Sequence, residues 1–339
     1  KYAPAIVRAL ADIDDAGNQR YVGETDYQPF YRGGENSDAG TERVTVVLNK
    51  RYEFEEIKTL PPLSDARCVV GLDAYPDPDR WRLNTLPSVT ITQVLNDEER
   101  KNWRRFERGL FIVQVGEADR PLTTGKYFNK KKAEALMNEL TDQFPRLRTA
   151  VTSKSVKQDV VKLLPESNQP QPVLHYGEEF SRNDFADERV GLIVGCIDPG
   201  DDTVLNWLAL TDAEAEPERS EENCEECGGS GCYECLETGK DRARGREFAG
   251  PDADTAERLL ESVRQTHVAQ AAGRYARSPT NADKPTVVFT WTGVTPDNLV
   301  DFEIPDVRSL TQRQQEIIEY VEQNGPVKAR EVADALEPC

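Results

Sequence analysis

Five short apolar runs between residues 110 and 291 alternate with segments of helical period, and this alternation limits the fold more than any other feature. Leu110–Val115, Thr149–Thr152, Pro172–Tyr176, Val190–Val194 and Thr286–Trp291 are short and rich in β-branched residues, so they read as strands. Between them, Lys130–Leu140 places Ala133, Leu136, Met137 and Leu140 on one helical face. A second helix runs through Val156, Val160, Val161 and Leu164, and Asp254–Gln265 is a third. Strands without polar alternation need cover on both faces. The expectation is an α/β domain with a mostly parallel sheet between helical layers.

Outside this region the pattern differs. Residues 1–60 combine a helical stretch at Ala5–Ile13, a polar segment at Asp14–Thr41 and a strand at Val44–Leu48. Cys68–Leu72 and Val89–Leu95 are further strand candidates among several prolines. Asp212–Gly250 interrupts the strand–helix order, which resumes after it, so it reads as an insertion. Thr311–Leu336 reads as two short helices. Thr311 and Gln314 form a capping box, Ile317, Ile318 and Val321 make the first stripe, and Gly325-Pro326 stops it. Ala329, Val332, Ala333 and Leu336 line the second. The divisions expected are therefore 1–100, 101–305 with 212–250 inserted, and 306–339.

Charge narrows the function classes. The chain carries 61 acidic and 42 basic residues, a net charge of −19. That argues against nucleic-acid binding by bulk electrostatics and leaves local patches open. Arg outnumbers Lys, and acid-rich loops recur along the whole chain. This pattern points to the cytoplasm of a salt-accumulating cell, where screening shortens the Debye length to about 3 Å and self-repulsion costs little; the alternative is an ordinary acidic cytosolic protein. No apolar run approaches a membrane span, and no signal peptide opens the chain.

Four of the seven cysteines fall in Cys224-Glu-Glu-Cys227-Gly-Gly-Ser-Gly-Cys232-Tyr-Glu-Cys235. Each Cys-x-x-Cys turn aims two thiolates at one ion, and the glycines admit backbone amides close to sulfur. Both pairs can close on one tetrahedral Zn²⁺. Four thiolate ligands leave no open coordination position, so such a site is structural. A redox pair or four reduced thiols are the other possibilities.

The second constellation is Gln270-Ala-Ala-Gly273-Arg274-Tyr-Ala-Arg277. Two arginines three apart on a helical face can converge on one phosphate, and a glycine before the first allows close backbone approach. Such a pair can neutralise charge on a transferring γ-phosphoryl group. The plain alternative is a helix N-terminus bearing two solvated arginines.

Gln-x-x-Gly-Arg-x-x-Arg resembles motif VI of superfamily 2 helicases, in the second RecA-like domain. Upstream and in order, Val151-Thr-Ser-Lys-Ser155 resembles the motif IV region. His175-Tyr-Gly-Glu-Glu-Phe-Ser-Arg-Asn183-Asp-Phe185 and Gly195-Cys-Ile-Asp-Pro199 resemble the motif V region. Val70-Gly-Leu-Asp73-Ala-Tyr-Pro76 is similar to motif III, with Tyr75 replacing its threonine. The resemblance spans roughly residues 60–300. It implies that Arg274 and Arg277 are arginine fingers on ATP, with Gln270 and Gly273 in the nucleotide interface and Asp73 linked to it. It also implies that Ser153, Lys154, Arg182 and Asn183 face nucleic acid or the interdomain cleft; a helix-capping loop role is the alternative for each. Thr311–Leu336 resembles the first two helices of a winged helix-turn-helix domain; a plain helical hairpin is the alternative.

No Gly-x-x-x-x-Gly-Lys-Ser/Thr occurs; Thr123-Thr-Gly-Lys126 is the nearest approach, and no Asp-Glu box occurs either. Without a phosphate cradle and Mg²⁺ ligand, this polypeptide is expected not to hydrolyse ATP alone. The resemblance then implies the C-terminal part of an ATP-dependent DNA helicase, with residues 1–100 the tail of a first RecA-like domain and its P-loop upstream. The alternatives are a non-enzymatic zinc-containing winged-helix DNA-binding protein and a zinc-containing interaction protein that binds no nucleic acid.

Overall fold

The computed structural model describes residues 20–27, 40–48, 54–59, 71, 77, 80–81, 90–122, 128–166, 170–178, 182–208, 213–217, 247–277 and 285–306. In chain order the elements are β1 (Arg20–Tyr27), β2 (Gly40–Leu48), β3 (Phe54–Thr59), α1 (Asp97–Asn102) and a π-helical turn (Trp103–Glu107). Then come β4 (Leu110–Val115), α2 (Lys130–Gln143), β5 (Ala150–Thr152), α3 (Lys157–Leu163), β6 (Val173–His175) and β7 (Val190–Val194). The series closes with α4 (Asp201–Leu208), β8 (Glu216–Pro217), β9 (Phe248–Ala249), α5 (Ala253–Ala272), β10 (Thr286–Trp291) and β11 (Phe302–Ile304).

The chain divides into two compact units. Lys1–Glu99 and Ile197–Ala269 make one. In it β1, β2 and β3 form an antiparallel sheet in that order. Val204, Leu205 and Leu208 of α4 are buried with Phe248 of β9 and with Ala256, Leu259 and Leu260 of α5. The short β8 and β9 pair antiparallel, Glu216 opposite Ala249 and Pro217 opposite Phe248. This clasp joins the two ends of the stretch that the sequence marks as inserted.

Arg100–Cys196 and Gln270–Cys339 make the other unit, an α/β body on a six-stranded sheet in the order β11-β4-β10-β7-β5-β6. Every neighbouring pair is parallel. One face packs on α2 and α3. Ala133, Leu136, Met137 and Leu140 of α2 meet Val115, Phe289, Trp291, Leu192 and Val194 in one buried cluster. Asn129 caps α2, accepting from the Lys132 amide at 3.1 Å, so the helix starts where its apolar period starts. Phe144 closes it edge-on against Phe289, centroids 5.0 Å apart.

Two local expectations fail, and some elements appear where none is expected. Residues 90–95 form no strand, and Val94 is 92% exposed: β-branched side chains favour a strand only where a sheet neighbour packs on them. α5 runs on to Ala272, seven residues beyond the expected end at Gln265, so the start of the arginine octet is helical. β1, inside the stretch read as a polar segment, β3 and β11 are unexpected; the three residues of β11 are too few for a visible pattern. The helices expected at 5–13 and 311–336 lie outside the described residues, as does all of the strand expected at 68–72 except Gly71.

Candidate functional site

A parallel sheet has two chemically different edges, and the expected site residues divide between them. Val190–Val194 spans about 16 Å at ~3.3 Å per residue, which sets the scale of the separation. The amino-terminal edge gathers the turn after α5 and the loop before β7. Arg274 is buried at 9% exposure, and its Nη1 donates to the Arg182 carbonyl at 3.3 Å. Arg277 is exposed; its Nη1 donates to Asn183 Oδ1 and its Nε to the Gly273 carbonyl, both at 2.9 Å. The Arg277 amide donates to the Ala186 carbonyl at 3.2 Å. Arg274, Arg277, Arg182 and Asn183 therefore form one cluster. Arg182 is itself clamped by Asp184 and by Gln171 Oε1. The Arg182 hydrogen bonds hold the Asp184 carboxyl below its ordinary range.

The two arginines do not lie on a helical face, which corrects the geometry read from their spacing. α5 stops at Ala272, and the Arg274 and Tyr275 amides close tight turns onto Ala271 and Ala272. Ala276 then takes a left-handed backbone, φ 52°. That costs a non-glycine residue roughly 1–2 kcal/mol. Arg108 offsets it: its Nε and Nη2 both donate to the Ala276 carbonyl, at 2.9 and 2.6 Å. Hydrogen bonds to a charged group contribute about 1.5–3 kcal/mol. The result is one buried arginine and one exposed arginine rather than a symmetric pair.

Tyr275, between them, anchors the turn. Its ring is fully buried against Phe185, centroids 5.3 Å apart, and over Gly191 of β7. A Cβ at Gly191 would lie 2.3 Å from the ring, so only glycine leaves it room. Burial pushes the phenol well above its ordinary range. Nearby, Glu188 is buried and bound by Arg148 through two hydrogen bonds. Gln270 is half-buried, and its side-chain oxygen has no hydrogen-bond partner among the described residues.

Ser153 and Lys154 follow β5, on the carboxyl-terminal edge, so they do not join Arg182 and Asn183. Ser153 is buried and its hydroxyl donates to the Cys196 carbonyl at 3.2 Å, whereas Lys154 is exposed. Around them Tyr176 donates its hydroxyl to the Gly195 carbonyl at 2.6 Å. Gly195 has φ +71°, and a Cβ there would stand 2.5 Å from the Arg120 carbonyl. His175 pairs with Glu178 at 3.2 Å, and Lys157 reaches the other Glu178 oxygen at 2.6 Å. Burial raises the Glu178 carboxyl, but Lys157 and the His175 amide outweigh it and leave it below the ordinary value.

Asp73 and the cysteines Cys224, Cys227, Cys232 and Cys235 lie outside the described residues. Among the described residues, no cluster of three or more His, Cys, Asp or Glu side chains is arranged to hold a metal. The root of the insertion is described: beside the β8–β9 clasp, the Glu214 amide donates to Asp252 Oδ2 at 2.8 Å, and the Asp252 amide returns a bond to the Glu214 carbonyl. No helix among the described residues is long and apolar enough to cross a membrane.

Sequence reasoning missed Arg108 and the weight of Tyr275. Arg108 ends a charged run, Trp103-Arg-Arg-Phe-Glu-Arg108, that carries no recognisable spacing. Tyr275 occupies an unspecified place in the octet; its only signal is a large aromatic between two arginines. Comparison with protein-family models, with curated proteins and with solved structures finds no match for this chain.

Proposed function

We propose that the chain carries the RecA-like C-terminal motor domain of an ATP-dependent DNA helicase or translocase, with Arg277 as the arginine finger and Arg274 as its buried support. The observation that carries this reading is the convergence at one sheet edge of Gln270–Arg277 with Arg182 and Asn183. Two segments that resemble motifs VI and V are thus hydrogen-bonded to each other. Arg277 is exposed and oriented by two bonds, which suits a guanidinium that must meet phosphoryl oxygens supplied from another domain. Gln270, with an unengaged side-chain oxygen, would line the same nucleotide interface. ATP and Mg²⁺ would supply the phosphoryl chemistry; this chain's contribution is to aim positive charge. A DNA contact would fall to exposed Lys154 on the opposite edge, while Arg182 and Asn183 would serve the interdomain side by holding Arg274 and Arg277.

In this reading the insert holds one structural Zn²⁺ through Cys224, Cys227, Cys232 and Cys235, a donor set of four thiolates suited to Zn²⁺. Residues 306–339 would begin a winged helix, and the acidic surface would suit a salt-rich cytoplasm. The absence of a P-loop from these 339 residues favours a second reading, a non-enzymatic zinc-containing DNA-binding protein.

The coding DNA upstream of Lys1 separates the two. An in-frame P-loop and Asp-Glu box, with DNA-stimulated ATPase lost on Arg277→Ala, supports the motor. A start codon close upstream without a P-loop sinks it.

A further inference from the structure

We infer that Arg108 is a positioning residue for Arg277, delivered to its place by the π-helical turn Trp103–Glu107. The inference rests on the proposed nucleotide role of Arg277 for its meaning, though not for its test. A π turn is uncommon and is often found at functional sites, and its i→i+5 bonding sets residues five apart on one side. Here the Arg108 amide donates to the Trp103 carbonyl at 3.2 Å, and the Arg108 guanidinium lies over the Trp103 ring, 5.4 Å from its centroid. The ring face attracts the cation and holds it near Trp103. Two of its donors then converge on a single acceptor, the carbonyl of Ala276, at 2.9 and 2.6 Å. Ala276 is one of only two non-glycine residues with positive φ among the described residues, and Arg277 follows it directly.

The alternative for Arg108 is a bond that merely ties two loops together. The geometry argues for more. The carbonyl that Arg108 holds belongs to the one peptide whose orientation decides where Arg277 starts. On the far side, the Arg277 amide is fixed to the Ala186 carbonyl and its side chain to Asn183 and Gly273. The π turn is itself anchored, because Arg104 and Arg105 both bind the buried Asp301 carboxylate. The chain from sheet edge to Arg277 is therefore continuous: Asp301, π turn, Arg108, Ala276, Arg277.

The test uses the full chain with ¹⁵N-labelled arginine, reading the Nε–H signal of Arg277, assigned by its loss in Arg277→Lys. In the wild type this proton is protected by the Gly273 carbonyl. In Arg108→Gln its protection should fall about fivefold, the factor for one hydrogen bond of average net worth. The Arg148 Nε–H, bound to Glu188, should stay unchanged and so report an intact fold. Adding Ala276→Gly, which removes the left-handed penalty, should restore part of the Arg277 protection, and Arg108→Lys should restore less. Unchanged Arg277 protection in Arg108→Gln overturns the inference, as does joint loss at Arg277 and Arg148 without rescue by Ala276→Gly. A separate titration of the wild type with Mg-ATP judges the nucleotide role alone: an Arg277 signal that does not move sinks that role and leaves the positioning result standing.

Discussion

Gly191→Ala tests the packing that seats the arginine turn. The added Cβ would lie 2.3 Å from Cε1 and Cζ of Tyr275 and 2.8 Å from its hydroxyl oxygen, about 1 Å short of the 3.4 Å at which ordinary contact begins. One partner must move. β7 is held between β10 and β5 by parallel ladders, so its backbone cannot retreat without breaking both. Tyr275 must shift, and it is fully buried with Phe185 beside it. Overpacking a core costs about 1–3 kcal/mol, and expelling a buried aromatic about 3–5 kcal/mol. The expected loss is roughly 2–4 kcal/mol. For a chain of 339 residues that lowers Tm by on the order of 3–6 °C, read by differential scanning calorimetry in one fixed salt buffer. The decisive measurement is the double variant. Tyr275→Leu removes the ring that the methyl would strike, so Gly191→Ala should add almost nothing in that background. A coupling of about 2–4 kcal/mol, nearly the whole cost of the single substitution, follows. If Gly191→Ala leaves Tm unchanged, or if the two substitutions add, Tyr275 does not pack on β7 and the account of the turn fails.

Arg274→Ala should lower Tm, because the residue is 9% exposed and its side chain donates to the Arg182 carbonyl, whereas Arg277→Ala should leave stability within ~0.5 kcal/mol of wild type and Tm nearly unchanged. Equal effects from thermal melts of the two variants would contradict the division of roles. Asp301→Asn should cost about 3–5 kcal/mol by urea unfolding, since it strands the buried Arg104 charge. Burial raises the Asp301 carboxyl, but the bonds from Arg104, the Ile112 amide and Arg105 outweigh it and leave it below its ordinary value. Its stabilisation is therefore fully present above about pH 4 and is lost as pH falls through the lowered folded value, so acid melts should be steeper in wild type than in Asp301→Asn. Native mass spectrometry should find one Zn²⁺ per chain, lost in Cys224→Ser; a metal-free wild type would refute the zinc proposal.

The parallel sheet was legible because β4, β7 and β10 are apolar on both faces, and such runs have no stable setting except between covering layers. α2 was legible to the residue on its buried face, because Ala133, Leu136, Met137 and Leu140 keep a helical period and Asn129 caps it. β11 and the run at 90–95 were not, for opposite reasons. The first owes its state to β4 beside it rather than to its own three residues, and the second has strand propensity but no neighbour. At the candidate site the identities of Gln270, Arg274 and Arg277 were readable and their geometry was not. Spacing suggests a shared helical face. The backbone instead breaks after Ala272 and turns left-handed at Ala276, under a hydrogen bond from a residue 168 positions away. Local sequence carries no trace of a partner at that distance.

The division of the site residues between the two sheet edges bears on what this body can do alone. Parallel α/β sheets ordinarily bind ligands beyond the carboxyl ends of their strands. Here much of that edge is engaged internally. Arg120 pairs with Asp306 at 2.7 Å and lies over the Trp291 ring, whose Nε1 donates to the same carboxylate. Ser153 and Tyr176 spend their hydroxyls on the Cys196 and Gly195 carbonyls. The amino edge is where an oriented, exposed guanidinium stands, held on Asn183 and Gly273, and the described residues place no cradle of backbone amides around it. Positive charge without a cradle binds a phosphate weakly by itself and strongly once another surface presents one. A buried arginine, a buried tyrosine and an arginine beside the Trp103 ring together fix the turn that ends in Arg277, and the proposed role of Arg277 needs that rigidity more than affinity.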